Sequence, residues 1–162
     1  MAASRPLVAV GLSHHTAPVE VRERVSMDPA GVKRVLDRLK EQRILQEGML
    51  LSTCNRMELY GVVEDEAGLR SFFHEYRGPS GEHIDRYLYW KRDRDAVYHL
   101  FKVASSLDSL VLGEPQILGQ VKDAYEAATR HGAVGTLLGR WARRQVSPGR
   151  VLGAARGSRR LP

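Results

Sequence analysis

Two apolar runs, Met49 to Thr53 and Met57 to Val63, stand only three residues apart, joined by Cys54, Asn55 and Arg56. Each run suits a buried strand, and so short a connection makes the two strands neighbours in one sheet. The rest of the chain must be arranged round that pair. Leu7 to Gly11 is a β-type run ended by glycine, and the polar loop Ser13-His14-His15-Thr16-Ala17 is closed by Pro18, a residue suited to the first turn of a helix. From Asp28 the apolar positions Val32, Val35, Leu36 and Leu39 recur at helical spacing, with Asp28 as cap and Pro29 in the first turn. Gly48 is expected to break the chain before the strand at Met49. Glu66 to Tyr76 reads as a helix and Ile84 to Trp90 as a strand.

That order, β-α-β-β-α-β, predicts an α+β fold: a ferredoxin-like antiparallel sheet with its helices over one face. A helical C-terminal segment follows, with Asp93 to Leu107 carrying Val97, Leu100, Phe101 and Ala104, and a second helix from Ile117 to Ala128. The expected division is a domain over 1–131, the start of a further helix over 132–146, and a tail over 147–162. The tail is rich in Gly, Arg, Ala, Pro and Ser without periodicity, so no structure is assigned to it.

At 162 residues, a chain can bury about 70% of its unfolded surface, so a core needs neither disulfide nor metal. A single cysteine excludes an internal disulfide framework and a cysteine-cluster zinc site. No apolar run approaches the ~20 residues that span a bilayer, and the N-terminus has no long apolar signal stretch. The chain therefore reads as cytoplasmic and without a membrane partner. Its net charge of +6 is unevenly placed. Seven of the 25 basic residues lie in Gly139 to Pro162, which has no acidic residue; the remaining 18 face 19 acidic ones. The body is thus near neutral, and the basic end reads as a solvated tail or a nonspecific RNA contact.

Cys54 carries the chemical interest. A tight turn lifts its side chain off the sheet edge, and its neighbours Ser52, Thr53, Asn55 and Arg56 are all polar. It reads equally as a nucleophile or as a small hydrophobe. A thiol is only a few per cent thiolate near neutral pH, so a nucleophile needs a nearby cation or base, and Arg56 supplies a charge. Among six histidines, His99 sits on a mostly apolar helix, where a core role is the commoner one. His14 and His15 border either the sheet edge near Cys54 or solvent. Between Leu107 and Gln120, two glycines and a proline interrupt a helical pattern. Asp108, Ser109, Glu114, Gln116 and Gln120 there suit a polar pocket, a capped helix start, or both. No phosphate-cradling glycine pattern and no metal-ligand spacing occur, so no metal is expected.

Taken together, three stretches resemble glutamyl-tRNA reductases: Gly11-Leu12-Ser13-His14-His15-Thr16-Ala17-Pro18-Val19-Glu20-Val21-Arg22-Glu23, then Ser52 to Arg56 with Glu58 and Tyr60, then His99-Leu100-Phe101 with Ala104 to Gln120. The match runs from about Leu7 to about Arg144. The resemblance implies the reduction of glutamyl-tRNA to glutamate-1-semialdehyde with NADPH, at the entry to tetrapyrrole and porphyrin biosynthesis. It implies Cys54 as the catalytic nucleophile that forms a thioester, and His99 as a catalytic acid/base or recognition residue. It further implies Thr53, Arg56, Ser109, Glu114, Gln116 and Gln120 as the substrate-binding set. Ser106 stands where the family usually has glycine.

Members of the family continue into a nicotinamide-binding domain and a dimerisation domain, and nothing after Arg144 resembles either. The chain is therefore expected to be a truncated or frame-shifted catalytic domain, limited by itself to acyl transfer and hydrolysis. The alternatives are a non-catalytic RNA-binding remnant, or an interaction module using Leu137, Leu138 and Trp141.

Overall fold

Residues 5–108 and 116–146 are described by the computed structural model, with the side chains of 144–146 excepted. Four strands form one antiparallel sheet in the order β2-β3-β1-β4. They are β1 (Leu7–Ser13), β2 (Leu45–Ser52), β3 (Arg56–Val63) and β4 (Tyr89–Arg92). This is the ferredoxin-like arrangement that the order of elements implied. Its helices are α1 (Val19–Val25), α2 (Pro29–Glu41), α3 (Glu66–His74), α4 (Asp93–Ala104), α5 (Gln116–Arg130) and α6 (Thr136–Val146).

Local chemistry explains most boundaries. The Asp28 carboxylate accepts the Gly31 amide at 2.7 Å and Pro29 opens α2, while the Asp65 carboxylate accepts the Gly68 amide to start α3. Gly132, at φ 66°, ends the turn after α5, and α6 begins only at Thr136. The buried Glu47 carboxylate of β2 accepts the amides of Gly135, Leu137 and Leu138 at 3.0, 3.2 and 2.7 Å. A distant strand thus supplies the cap that the sequence around Thr136 lacks.

Every residue of β3 is buried because both faces of the sheet are covered. On one face α2 and α3 pack together, with Arg38 over the Phe72 ring and paired to Glu75. On the other, His99 of α4 and Trp141 of α6 lie against Tyr60, and α5 packs on β2. Cover over a single face was expected; the C-terminal helices supply the second layer. The core runs through Val8, Val10, Leu12, Leu36, Leu39, Leu50, Leu59, Phe73, Leu100 and Val121.

Three local expectations need correction. Gly48 does not interrupt the chain: it lies inside β2, opposite Gly61, where a Cβ would come within 2.9 Å of the Leu45 side chain. The strand therefore starts four residues earlier, and its glycine serves close packing. Ile84 to Trp90 is not one strand. Ile84–Tyr87 forms a single 3-10 turn anchored by the buried Ile84, and pairing with β1 begins only at Tyr89. Finally, Val19–Val25 forms a helix, α1, where no element was assigned. Only Val21 and Val25 are buried on it, too brief an apolar pattern to register in sequence.

Candidate active site

The β2–β3 connection consists of Thr53, Cys54 and Asn55, with Arg56 already the first residue of β3, paired with Ser13. Its shape is held from several sides. The Thr53 amide donates to the Arg56 carbonyl at 2.9 Å, and the Asn55 amide to the Thr53 hydroxyl at 3.2 Å. Arg22 of α1 donates to the Asn55 side chain at 3.0 Å, while the His14 amide donates to the Asn55 carbonyl at 2.9 Å. Ser52 accepts the Met27 amide at 3.0 Å. Cys54 rides on this braced turn as an exposed free thiol.

A cavity of about 130 Å³ opens beside the thiol, lined by His14, Thr53, Cys54, Asn55, Arg56, Gln116, Ile117 and Gln120. Gln116, Ile117 and Gln120 share one face of α5, so a single helix supplies the opposite wall. Five residues selected from sequence thus converge here: Cys54, Thr53, Arg56, Gln116 and Gln120. Ser109 and Glu114 lie outside the described residues, as does the tail over 147–162.

Arg56 is buried, and its charge is already compensated. It donates to Glu58 at 3.0 Å, to the Asp108 carboxylate at 3.1 Å and to the Asp108 carbonyl at 2.8 Å. Burial favours the neutral form of the guanidinium, but Glu58, Tyr89 and Asp108 outweigh it and raise the pKa. Arg56 is therefore a source of directed hydrogen bonds rather than an unpaired cation beside the thiol.

Glu58 is the hub behind it. Its carboxylate also accepts His99 Nε2 at 2.8 Å and the hydroxyls of Tyr60 and Tyr89. Burial alone would push its carboxyl up. The His99 hydrogen bond, the Arg56 charge and the Tyr60 hydroxyl reverse that and hold it at about 2. Tyr60 and Tyr89 are pushed up, by burial first and then by the Glu58 charge. With Glu58 ionised, His99 Nε2 carries the proton of that bond. His99 is buried and lines a different cavity, with Lys91, Asp95, Tyr98 and Lys102, not the one beside Cys54.

Glu58 and Tyr89 were missed as members of the site, whereas Asp108, expected at a polar pocket, does reach Arg56. Glu58 alternates with Arg56 and Tyr60 on one face of β3, a period-2 polar signal inside a buried strand. Ser106 has φ 60°, the left-handed conformation that glycine adopts most readily. As for metals, His74, His83 and Asp85 place donor atoms within 4.8 Å of one another. The Arg77 guanidinium lies against His83 Nδ1, however, and its charge opposes a cation there.

A family model described as "Glutamyl-tRNAGlu reductase, N-terminal domain" matches residues 10–152. The chain belongs to the glutamyl-tRNA reductase family. Glutamyl-tRNA reductase of Syntrophus aciditrophicus is 46% identical over 140 residues, covering 83% of this chain and 33% of that protein. The enzyme of Syntrophotalea carbinolica is 49% identical over 140 residues, covering 82% and 31%. Glutamyl-tRNA reductase from Methanopyrus kandleri superposes with a TM-score of 0.74 at 33% identity, over 96% of this chain and 36% of that one. The chain spans about a third of the length of these glutamyl-tRNA reductases, and its family portion is their N-terminal domain. No described helix is long and apolar enough to cross a membrane.

Proposed function

We propose that this domain takes the glutamyl group of glutamyl-tRNA onto Cys54 as a thioester, the first half of glutamyl-tRNA reduction. The observation that carries this reading is the exposed thiol on a braced turn, at a cavity whose polar wall is Thr53, Arg56, Gln116 and Gln120. The ester carbonyl meets Sγ at the rim, and the side chain of the glutamyl group enters among those donors. Arg56 contributes fixed N–H groups whose direction Glu58 and Asp108 set, and a carboxylate suits such donors. His99 acts through Glu58, holding the carboxylate that orients Arg56, and is a positioning residue on this geometry.

The family reaction also uses NADPH, which supplies a hydride when bound. The described sheet does not fit that group: every neighbouring strand pair is antiparallel, so it has no parallel switch point at which a dinucleotide-binding crevice forms. No hydride step is assigned to these residues, and the activity proposed for them is acyl transfer followed by slow hydrolysis.

The test is incubation with tRNA charged with labelled glutamate. Label is expected on the protein in a hydroxylamine-labile bond, with deacylation faster than in buffer, and neither with Cys54→Ser. Equal labelling and deacylation by the two proteins would refute the reading.

A further inference from the structure

Of the residues lining the cavity beside Cys54, the resemblance left His14, Asn55 and Ile117 without a role, and of these three His14 alone can take up a proton. His14 follows the last residue of β1 and lines that cavity. Its Nδ1 and Nε2 are both buried, and neither has a hydrogen-bond partner. A buried polar atom without a partner costs about 1–3 kcal/mol, and at the wall of this cavity the two imidazole nitrogens are placed to meet whatever enters it, whether water, a substrate group or a reacting proton. Its placement is not loose: the His14 backbone is tied to the Asn55 carbonyl, one residue from the thiol, and its ring lies 4.0 Å from that of His15.

We propose that His14 is the general base and acid of the acyl-transfer step at Cys54. His14 takes the proton from Sγ as the sulfur attacks the ester carbonyl carbon. The bond from that carbon to the terminal ribose oxygen then breaks, and the imidazolium returns the proton to the departing oxygen. A thioester and a tRNA with a free hydroxyl result, with no change in oxidation state. This rests on the acyl-transfer reading above and adds the proton's route to it.

The electrostatics agree. Arg56 cannot serve as an unpaired activating charge, since Glu58 and Asp108 neutralise it. His14 is held below the ordinary histidine range by burial first, then by His15, Arg56 and Arg22, with Asp108 opposing. It is therefore neutral near pH 7 and free to accept a proton. His15 is the less suitable neighbour: it is exposed and lies 3.5 Å from Asp108.

Two assays on the full chain separate this proposal from the reading it rests on. The first follows Cys54 alkylation by iodoacetamide against pH and needs no tRNA. The unaltered chain is expected to show an inflection below about 6.5. His14→Ala should lose that inflection, react at least tenfold more slowly at pH 7, and recover with added imidazole. His14→Gln keeps the volume without a titrating nitrogen and should lose the inflection too, which covers the case of a poorly folded alanine variant. The second assay is transfer of labelled glutamate from tRNA, expected to fall about 100-fold in His14→Ala. An unchanged alkylation profile, or a fall in both variants with the inflection kept and no response to imidazole, overturns the role of His14. If the unaltered chain alkylates as expected but takes no glutamate from tRNA, the acyl-transfer reading fails and the thiol–imidazole coupling stands.

Discussion

The Arg56 guanidinium donates to the Glu58 carboxylate at 3.0 Å with both side chains 1% exposed. Two residues apart on β3, they point to the same face and convert the middle of a strand into an ionic hub. Asp108, His99, Tyr60 and Tyr89 complete the hub, so α4, β4 and the chain after α4 are all attached to the strand that begins at the cysteine turn.

Glu58→Gln removes the charge and leaves Arg56 buried without its main counterion. The expected loss is about 3–5 kcal/mol of unfolding free energy, the usual cost of breaking one side of a buried pair. Urea unfolding followed by circular dichroism measures it, and a loss below about 1 kcal/mol would show that Asp108 alone suffices to hold Arg56.

The same carboxylate sets the response to acid. Its folded pKa, about 2, lies below the unfolded value of 4.5, so it contributes stability above pH 4.5 and loses that contribution as pH falls towards 2. The difference amounts to about 3 kcal/mol. Denaturant midpoints should therefore fall steeply over this range in the unaltered chain. In Glu58→Gln they should fall less, and parallel curves would contradict the assignment.

Glu47 offers a test far from the cysteine. Its carboxylate is the side-chain acceptor for the amides at 135, 137 and 138, so Glu47→Ala exposes the start of α6 to unmet hydrogen bonds. The expected cost is about 1–3 kcal/mol, with faster amide exchange at Leu137 and Leu138. Cys54 alkylation is expected to be unchanged, because none of the residues lining its cavity lies on α6.

Much of the fold was legible because short-range rules wrote it. The three-residue link between apolar runs required a hairpin, and Asp28-Pro29 marked a helix start that the Asp28 carboxylate does cap. The elements that were misread answer to distant partners. Gly48 looked like a break because glycine usually is one, yet Gly61 and Leu45 make it a packing contact within β2. Tyr89 becomes a strand residue only where β1 is available to pair with it.

The site divides in the same way. Cys54, Thr53 and Arg56 lie within four residues of one another, and their polar surroundings inside an apolar hairpin drew attention to the turn while leaving the thiol's role open between nucleophile and small hydrophobe. Gln116 and Gln120 came from the polar, glycine-broken stretch and again from the motif resemblance, and α5 brings both to the Cys54 cavity. What sequence could not weigh was the state of each group. Arg56 looked like an available cation until Glu58 and Asp108 were seen on it, and His14 looked like one of several loop histidines until both its nitrogens were found buried beside the thiol.

By itself, then, the sequence determined the hairpin, the α+β class and the family, and singled out the cysteine as a candidate, because each depends on residue type and spacing along the chain. Only the tertiary structure decided which charges are neutralised, which histidine shares the cysteine's cavity and what caps α6. Those depend on burial and on contacts across 41 to 91 residues, as His99 to Glu58 and Leu138 to Glu47 show. A charge or a proton acceptor is defined by what surrounds it, and the surroundings exist only once the chain has folded.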